Sequence, residues 1–490
     1  VLNHITGRTM HLPLGSLANR QGRVLGTNLA GGSARFEGAV GSFCIKVFDL
    51  GAASAGLTVT QAREAGFDPV HTVVTQSDRA HFYPTHQLMY MKLIADPQKS
   101  LSPPKPIPRH EGHWLWGGTF DFQRCPSDFV LEGHERYGDV FKTRVLTGYS
   151  YFIRDPEVVN AINVTHAKHI YKPKVVKQMW KPFLGNGLVP NDGESWKRQH
   201  KLIMPAFHKM RVDAYASTMA EYTRDMVRNW KEGEQRDFRK EMVELTLRVV
   251  AKTLFDTDVG GDSDTINQAM IDISEALIDH AQTPIPTPRW WPSERNRRMV
   301  RALDAMDDVI ARLVAARRKE GRDHGDLMSH IVFAADEQGG MSKKQMRDEL
   351  MTLIFAGHET TAHTLTWAWY LLAKNRDKLA KAQREIDQRI GRRAIRVDDL
   401  CDLPYLEMCL KESLRRLPAV WIFAREAQID LRIGDYVFPK GAILAISPLA
   451  TGRNAKYYDN PMEYRPERWT REFERSLPKG AYVPFAAGPR

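Results

Sequence analysis

One uninterrupted helical pattern, from about Lys343 to Asn375, constrains this chain more than any other feature. At 1.5 Å per residue it would run ~50 Å, enough to cross a whole domain. It opens on Ser342-Lys343-Lys344-Gln345, a capping-box arrangement in which the Ser and Gln side chains can satisfy orphan amides. Its middle carries Ala356-Gly357-His358-Glu359-Thr360-Thr361. A glycine costs a helix interior about 1 kcal/mol relative to alanine, and consecutive threonines add χ1 strain. Either the helix widens here into a groove faced by hydroxyls, or Gly357 lets another helix pack closely. The segment alone leaves both open.

Further helical patterns cover Asp213–Lys231, Glu241–Leu254 and Met299–Arg318, and Tyr436–Gly441 between apolar runs reads as a hairpin. Organisation changes near Pro97–Pro108. Ser100–Pro108 holds four prolines, which can continue neither a helix nor a central strand, so 99–110 reads as a stiff extended linker. Ahead of it, Phe43–Phe48, Val70–Val74 and Met89–Ile94 alternate as strands of a small mixed sheet, with helices over Leu17–Leu29 and Thr60–Ala65. A chain of 490 residues allows two or three domains, or one large helical domain with an appendage.

Composition narrows the function classes. The apolar fraction of 42% and charged fraction of 26% are those of an ordinary soluble globular protein, not a disordered one. The net charge of +11 is spread along the chain, with short clusters such as Ala316-Arg317-Arg318-Lys319. No basic stretch is interleaved with stacking aromatics, which argues against nucleic acid. A solvated basic surface is the plain reading, and an acidic electron-transfer partner comes next. Cys44, Cys125, Cys401 and Cys409 are too few and too scattered for a disulfide framework or a zinc site, so no metal set is read from them, and a reducing cytoplasm fits. No apolar run reaches the ~18 residues needed to span a bilayer, and no signal peptide opens the chain. It starts with Val, which points to something missing upstream.

Three more segments carry chemistry. Lys411-Glu412-Ser413-Leu414-Arg415-Arg416 puts Glu412 and Arg415 on one helix face, as a buried pair or as an exposed ion pair worth a few tenths of a kcal/mol. Tyr464-Arg465-Pro466-Glu467-Arg468-Trp469 offers another arginine in an irregular, Pro-kinked stretch. The chain closes on Pro484-Phe485-Ala486-Ala487-Gly488-Pro489-Arg490.

In this order and at these separations the segments resemble the cytochrome P450 family, from roughly Leu101 to Arg490. The resemblance implies a mainly helical α+β fold, a haem b cofactor, and insertion of one atom of O2 into an apolar organic substrate, a fatty acid being the best guess. It makes Thr360 the hydroxyl that holds dioxygen and its proton, and Glu359 part of the proton-delivery path; a hydroxyl, a carboxylate and waters can relay the two protons that O–O cleavage requires. Glu412, Arg415 and Arg468 match a buried structural network, tolerable only if every charge is paired. The run Glu194–His200 matches the family's Trp-x-x-x-Arg motif with His200 in place of Arg, so Trp196 and His200 become propionate donors; a core aromatic is the plainer reading of Trp196. Arg425 and Arg490 match further propionate-pairing positions. Phe485, Gly488 and Arg490 begin the haem loop, whose cysteine would be the second residue after Arg490. That thiolate is what makes the haem cleave O–O. Cys401 and Cys409 read as plain thiols, not substitutes, and Gly452 stands where the family often has His.

The first hundred residues are foreign to that family. Leu12–Arg23, Ile45–Leu50, Ala55–Leu57, Ala65–Phe67 and His81–Pro84 resemble the C-terminal part of NADH oxidases and coenzyme A-disulfide reductases, within the pyridine nucleotide-disulfide oxidoreductases. By that resemblance the helix holding Ala18 starts at the flavin, and Tyr83 matches one residue of a Tyr-Tyr-Pro motif, with Phe82 replacing the other. No Gly-rich nucleotide loop or redox cysteine precedes this stretch, and Cys44 lies mid-strand, so FAD is not expected to bind it alone. Residues 1–98 then form a partial dimerisation domain exposing a dimer-forming surface, 99–110 a linker, and 111–490 the oxygenase domain.

The expectation is therefore a cytoplasmic monooxygenase fed by a ferredoxin, flavodoxin or reductase, without nucleic acid or membrane span, and inactive as written if the axial cysteine is truly absent. The competing expectation is a non-catalytic chimera or fragment of a reductase tail joined to a monooxygenase. A natural fusion that dimerises is a third.

Overall fold

Alternation in the first hundred residues produces two antiparallel ribbons. In the computed structural model, β1 (Ser42–Val47) pairs with β2 (Leu50–Ala55), and β3 (Val70–Ser77) pairs with β4 (Leu88–Ala95), with α1 (Val59–Glu64) between them in sequence. The structure describes residues 42–47, 50–55, 59–64, 70–77, 88–95, 105–113, 116–145, 148–255, 263–282, 293–324, 326–333, 335–336 and 339–489. It divides into two units, Val1–Pro104 and Lys105–Arg490. The helix expected over Leu17–Leu29 with Ala18, and Phe82, Tyr83 and Arg490, lie outside the described residues, as does the side chain of Cys44.

The second unit starts inside the stretch read as a linker. Lys105 N–H donates to the Asp435 carbonyl (2.7 Å), His110 N–H to that of Lys142 (2.8 Å), and Lys142 N–H to that of Pro108 (2.9 Å). Proline has no N–H to place in a ladder but keeps its carbonyl, so Pro108 can lie along a strand edge. Residues 105–110 thus join the unit expected to begin at 111.

This unit has a sheet side and a larger helical side. On the sheet side, α2 (Pro126–Tyr137) leads into β5 (Val140–Val145) and β6 (Gly148–Ile153), then the short β7 (Ile170–Tyr171). The helical side follows: α3 (Lys174–Leu184), α4 (Gly193–Ile203), α5 (Lys209–Arg228), α6 (Phe238–Phe255), α7 (Ser263–Gln282), α8 (Glu294–Glu320), α9 (Lys343–Lys374), α10 (Arg376–Arg389) and α11 (Pro404–Arg416). The chain then returns as β8 (Phe423–Ala427), β9 (Leu431–Ile433), β10 (Tyr436–Phe438) and β11 (Ile443–Ile446), followed by α12 (Pro448–Gly452). The main sheet runs β5-β6-β11-β8-β7, antiparallel except for β6 with β11, where Ser150 faces Ile443 and Ile153 faces Ile446. The hairpin is β9–β10, turning at Gly434 and Asp435. Tyr436–Gly441, read as the hairpin itself, is its second strand plus the turn beyond.

The long helix stands as its period requires, at 32 residues and so about 48 Å. Ser342 Oγ accepts from Gln345 N–H at 3.2 Å, the serine half of the expected capping box. The helical core gathers Met306, Ile310, Ile331 and Leu350, while Ile153, Ile162, Leu444 and Ile446 fill the sheet core. Among the described residues no helix is long and apolar enough to cross a membrane.

Candidate functional site

The centre of α9 settles the question its glycine raised. A Cβ built on Gly357 would sit 3.2 Å from Val250 Cγ2 on α6, so the glycine does admit a neighbouring helix. The Thr246 hydroxyl on α6 reaches the His358 carbonyl across the crossing (3.1 Å), sharing its one proton with the Met242 carbonyl of its own helix (2.8 Å). The threonines turn their hydroxyls back on their own helix, Thr360 to the Ala356 carbonyl (2.7 Å) and Thr361 to that of Gly357 (2.9 Å). A hydroxyl that spends its proton on a carbonyl keeps its lone pairs for other donors. Thr360 is half-buried, as is Glu359, while the His358 ring is buried with no partner for either nitrogen among the described residues. Burial, and then the charge of His363, push His358 down to about 4, so it is neutral at pH 7.

Helix α11 packs against α9 and carries the charged network. Glu412 and Arg415 are fully buried, joined by Arg415 Nε to Oε2 (2.8 Å) and Nη2 to Oε1 (2.7 Å). Arg468 Nε reaches Oε1 at 3.1 Å. The structure therefore brings Glu412, Arg415 and Arg468 together and rules out the exposed-pair alternative. It also adds members that sequence reasoning passed over: Trp469 Nε1 donates to Oε2 (2.9 Å) and the Arg465 backbone N–H to Oε1 (3.0 Å). Both stand in the Tyr464–Trp469 segment from which only Arg468 was taken; an indole two residues past a Pro-Glu was the available signal. Burial opposes ionisation of Glu412, but the hydrogen bonds and charge of Arg415 outweigh it and hold the carboxyl below its ordinary range. Arg415 Nη1 continues to the carbonyls of Gly452 (2.5 Å) and Pro461 (2.8 Å), fastening the irregular segment to the helix. A Cβ at Gly452 would overlap the Arg415 carbonyl oxygen, so glycine permits this close approach.

The remaining site residues lie on separate elements. Trp196 and His200, one turn apart on α4, are in contact with ring centroids 4.8 Å apart and planes tilted by 31°. Loop 185–192 ahead of α4 is bound to α9: Asn186 N–H donates to Asp348 Oδ2 and Leu188 N–H to Glu349 Oε2, each at 2.9 Å. Arg425 sits on β8 with its guanidinium 4.8 Å from the Phe423 ring centre. Phe485 is 81% exposed, and Gly488, at φ +82°, lies where a Cβ would overlap the Asn163 carbonyl oxygen.

Indole, imidazole and guanidinium N–H groups are the types that carboxylate oxygens accept from, and Trp196, His200 and Arg425 carry one of each. Three cysteines are among the described side chains. Cys409 is buried on α11, and burial pushes its thiol up to about 11, whereas the metal-binding form is the thiolate. Cys401 is exposed, and Cys125 donates to Asp128 Oδ2 (2.9 Å).

One long helix crosses the helical unit, a buried ionic network sits on the helix packed against it, and a small mixed sheet belongs to the same unit. The chain belongs to the cytochrome P450 family: the model described as Cytochrome P450 matches residues 102–490. Cyclooctatin synthase of Streptomyces melanosporofaciens is 32% identical over 397 residues, spanning 79% of this chain and 86% of that protein. Pentalenene oxygenase of Streptomyces avermitilis is 27% identical over 381 residues, 76% of this chain and 83% of that one. Human cytochrome P450 4V2 is 28% identical over 365 residues, covering 68% and 69%. The solved structure of retinoic acid-bound cyanobacterial CYP120A1 superposes with a TM-score of 0.70 over 79% of this chain and 87% of that one, at 23% identity, and so shares the fold.

Proposed function

We propose that this monooxygenase hydroxylates an apolar, carbon-rich substrate, with Glu359 and Thr360 conducting protons and Trp196, His200, Arg425 and Arg490 holding the propionates of haem b. The observation that carries the reading is the Thr360 hydroxyl, half-buried at mid-helix, which gives its proton to the Ala356 carbonyl (2.7 Å) and so keeps its lone pairs for another donor. Haem, when bound, supplies the oxidising power that places one atom of O2 in a C–H bond and releases the other as water, using two electrons from an external donor. Thr360 accepts a hydrogen bond and passes a proton on by exchanging its bond to Ala356. Glu359, the adjacent carboxylate on α9, reloads it from solvent.

A terpene-type ring system is the favoured substrate over a fatty acid, because cyclooctatin synthase and pentalenene oxygenase match at 32% and 27% identity. The donor is a ferredoxin, flavodoxin or flavin reductase in the cytoplasm. The first unit is read as a partial reductase dimerisation domain that does not hold FAD by itself; flavin retained on the purified chain would count against this.

The test is catalytic. In the haem-loaded enzyme Thr360→Ala should retain haem and substrate binding while reducing product per electron pair consumed. Unchanged coupling would remove Thr360 from the proton path.

A further inference from the structure

Around the C-terminal end of α11, arginines outnumber the one buried carboxylate, Glu412. Glu412 already accepts from five N–H groups: Nε and Nη2 of Arg415, Nε of Arg468, the Arg465 backbone and the Trp469 indole. A carboxylate offers about four lone-pair sites, so Glu412 has nothing left for a further cation. Arg416 and Arg453 are nonetheless half-buried beside it.

Neither has a counter-ion within ion-pairing distance among the described residues. Arg416 keeps Nε and Nη1 buried without a partner. Arg453 spends Nη2 on the Arg416 carbonyl at 3.3 Å and leaves Nε buried without one. Asp128 is the carboxylate whose charge reaches Arg453, but it is exposed and is engaged by Cys125 Sγ (2.9 Å) and Ser127 Oγ (3.4 Å). Burial, then the charges of Arg415 and Arg453, lower Arg416 to about 10. The plain reading is a cation complementing a helix C-terminus. That accounts for a positive residue in the last turn, but it gives no acceptor to the three buried nitrogens. Water could satisfy their hydrogen bonds without offsetting two adjacent charges.

We propose that Arg416 and Arg453 form a binding site for a small, multiply charged oxyanion of the phosphate type, seated against the end of α11. The guanidinium fork matches two oxygens of such an ion, and two cations match its charge. Neither arginine is among the residues assigned to haem or proton delivery, so the proposal stands whether or not those assignments do.

The probe is inorganic phosphate, titrated into the full chain at constant ionic strength with chloride as balance, with thermal unfolding as readout. Binding to the folded state raises the midpoint saturably. Arg416→Leu should abolish the rise and, because it removes an unpaired half-buried charge, should melt no lower than the parent in phosphate-free buffer. Arg453→Gln should weaken the rise, and Arg392→Leu, on an exposed residue, should leave it intact. A parent midpoint that follows ionic strength alone, or a phosphate response retained in Arg416→Leu, would overturn the proposal.

Discussion

Replacing Glu349 by glutamine isolates one charge that the fold holds at a disadvantage. Its side chain is fully buried in α9, where Oε2 accepts from Leu188 N–H at 2.9 Å and Oε1 has no partner. Burial pushes the carboxyl up from 4.5 to about 7; the bond from Leu188 opposes this, the charge of Asp348 adds to it, and Lys172 opposes it. Protonation of Glu349 therefore favours the folded chain. Its contribution is fully present below pH ~4.5 and is lost as the pH rises to about 7. The loss amounts to about 3 kcal/mol, at 1.36 kcal/mol per tenfold. Glutamine keeps a carbonyl for Leu188 but places an unpartnered amide where Oε1 was, costing about 1 kcal/mol at every pH. Glu349→Gln should thus be less stable than the parent at pH 4.5 by about 1 kcal/mol and more stable at pH 8 by about 2 kcal/mol. Urea unfolding of both proteins across that range measures the difference, and subtracting one curve from the other cancels carboxylates of opposite sign, such as Glu412 and Glu467. A difference that does not change with pH would refute the reasoning.

Other perturbations have equally definite outcomes. Glu412→Ala strands the buried guanidiniums of Arg415 and Arg468 and should cost about 3–5 kcal/mol, read as loss of soluble folded protein or a steep fall in the urea midpoint. Gly452→Ala should lower stability by about 1–3 kcal/mol through overpacking against the Arg415 carbonyl, measured the same way. Thr360→Ala removes a bond within one helix and should move stability by less than about 1 kcal/mol, so any loss of coupling reports on proton delivery. Thr246→Val should loosen the α6–α9 crossing by about 1 kcal/mol, seen as faster amide exchange around His358.

Legibility followed how local the determinant was. The long helix could be read almost to the residue because its period, its Ser342 cap and the Asn375 that follows all lie within it. The Glu412 network was found through motif spacing, since Glu412 and Arg415 share one turn. Trp469 and Arg465 were missed because only the folded path of the 459–469 segment turns them onto that carboxylate. The dual reading of Gly357 depended on which residue of another helix lay opposite, and only tertiary packing supplied Val250. Pro108 misled for a different reason: its missing N–H argued for a linker, while its carbonyl was free to join an edge. Arg416 drew no comment beside Arg415, since sequence does not show which of two adjacent arginines finds a partner.

The parallel pairing of β6 with β11 bears on the order in which the protein can assemble. Residues 150 and 443 must meet for that ladder to close, and loop-closure entropy for so long an excursion is paid before any of its hydrogen bonds form. During synthesis β5 and β6 emerge early as a ribbon with one edge uncovered, and the strand that caps this edge leaves the ribosome nearly three hundred residues later. Until then Ser150–Ile153 is an open template of the kind that pairs with other chains. Aggregation of nascent or truncated forms should therefore begin at this edge, and a chain cut before Ile443 should be far harder to keep in solution than its helical content would suggest.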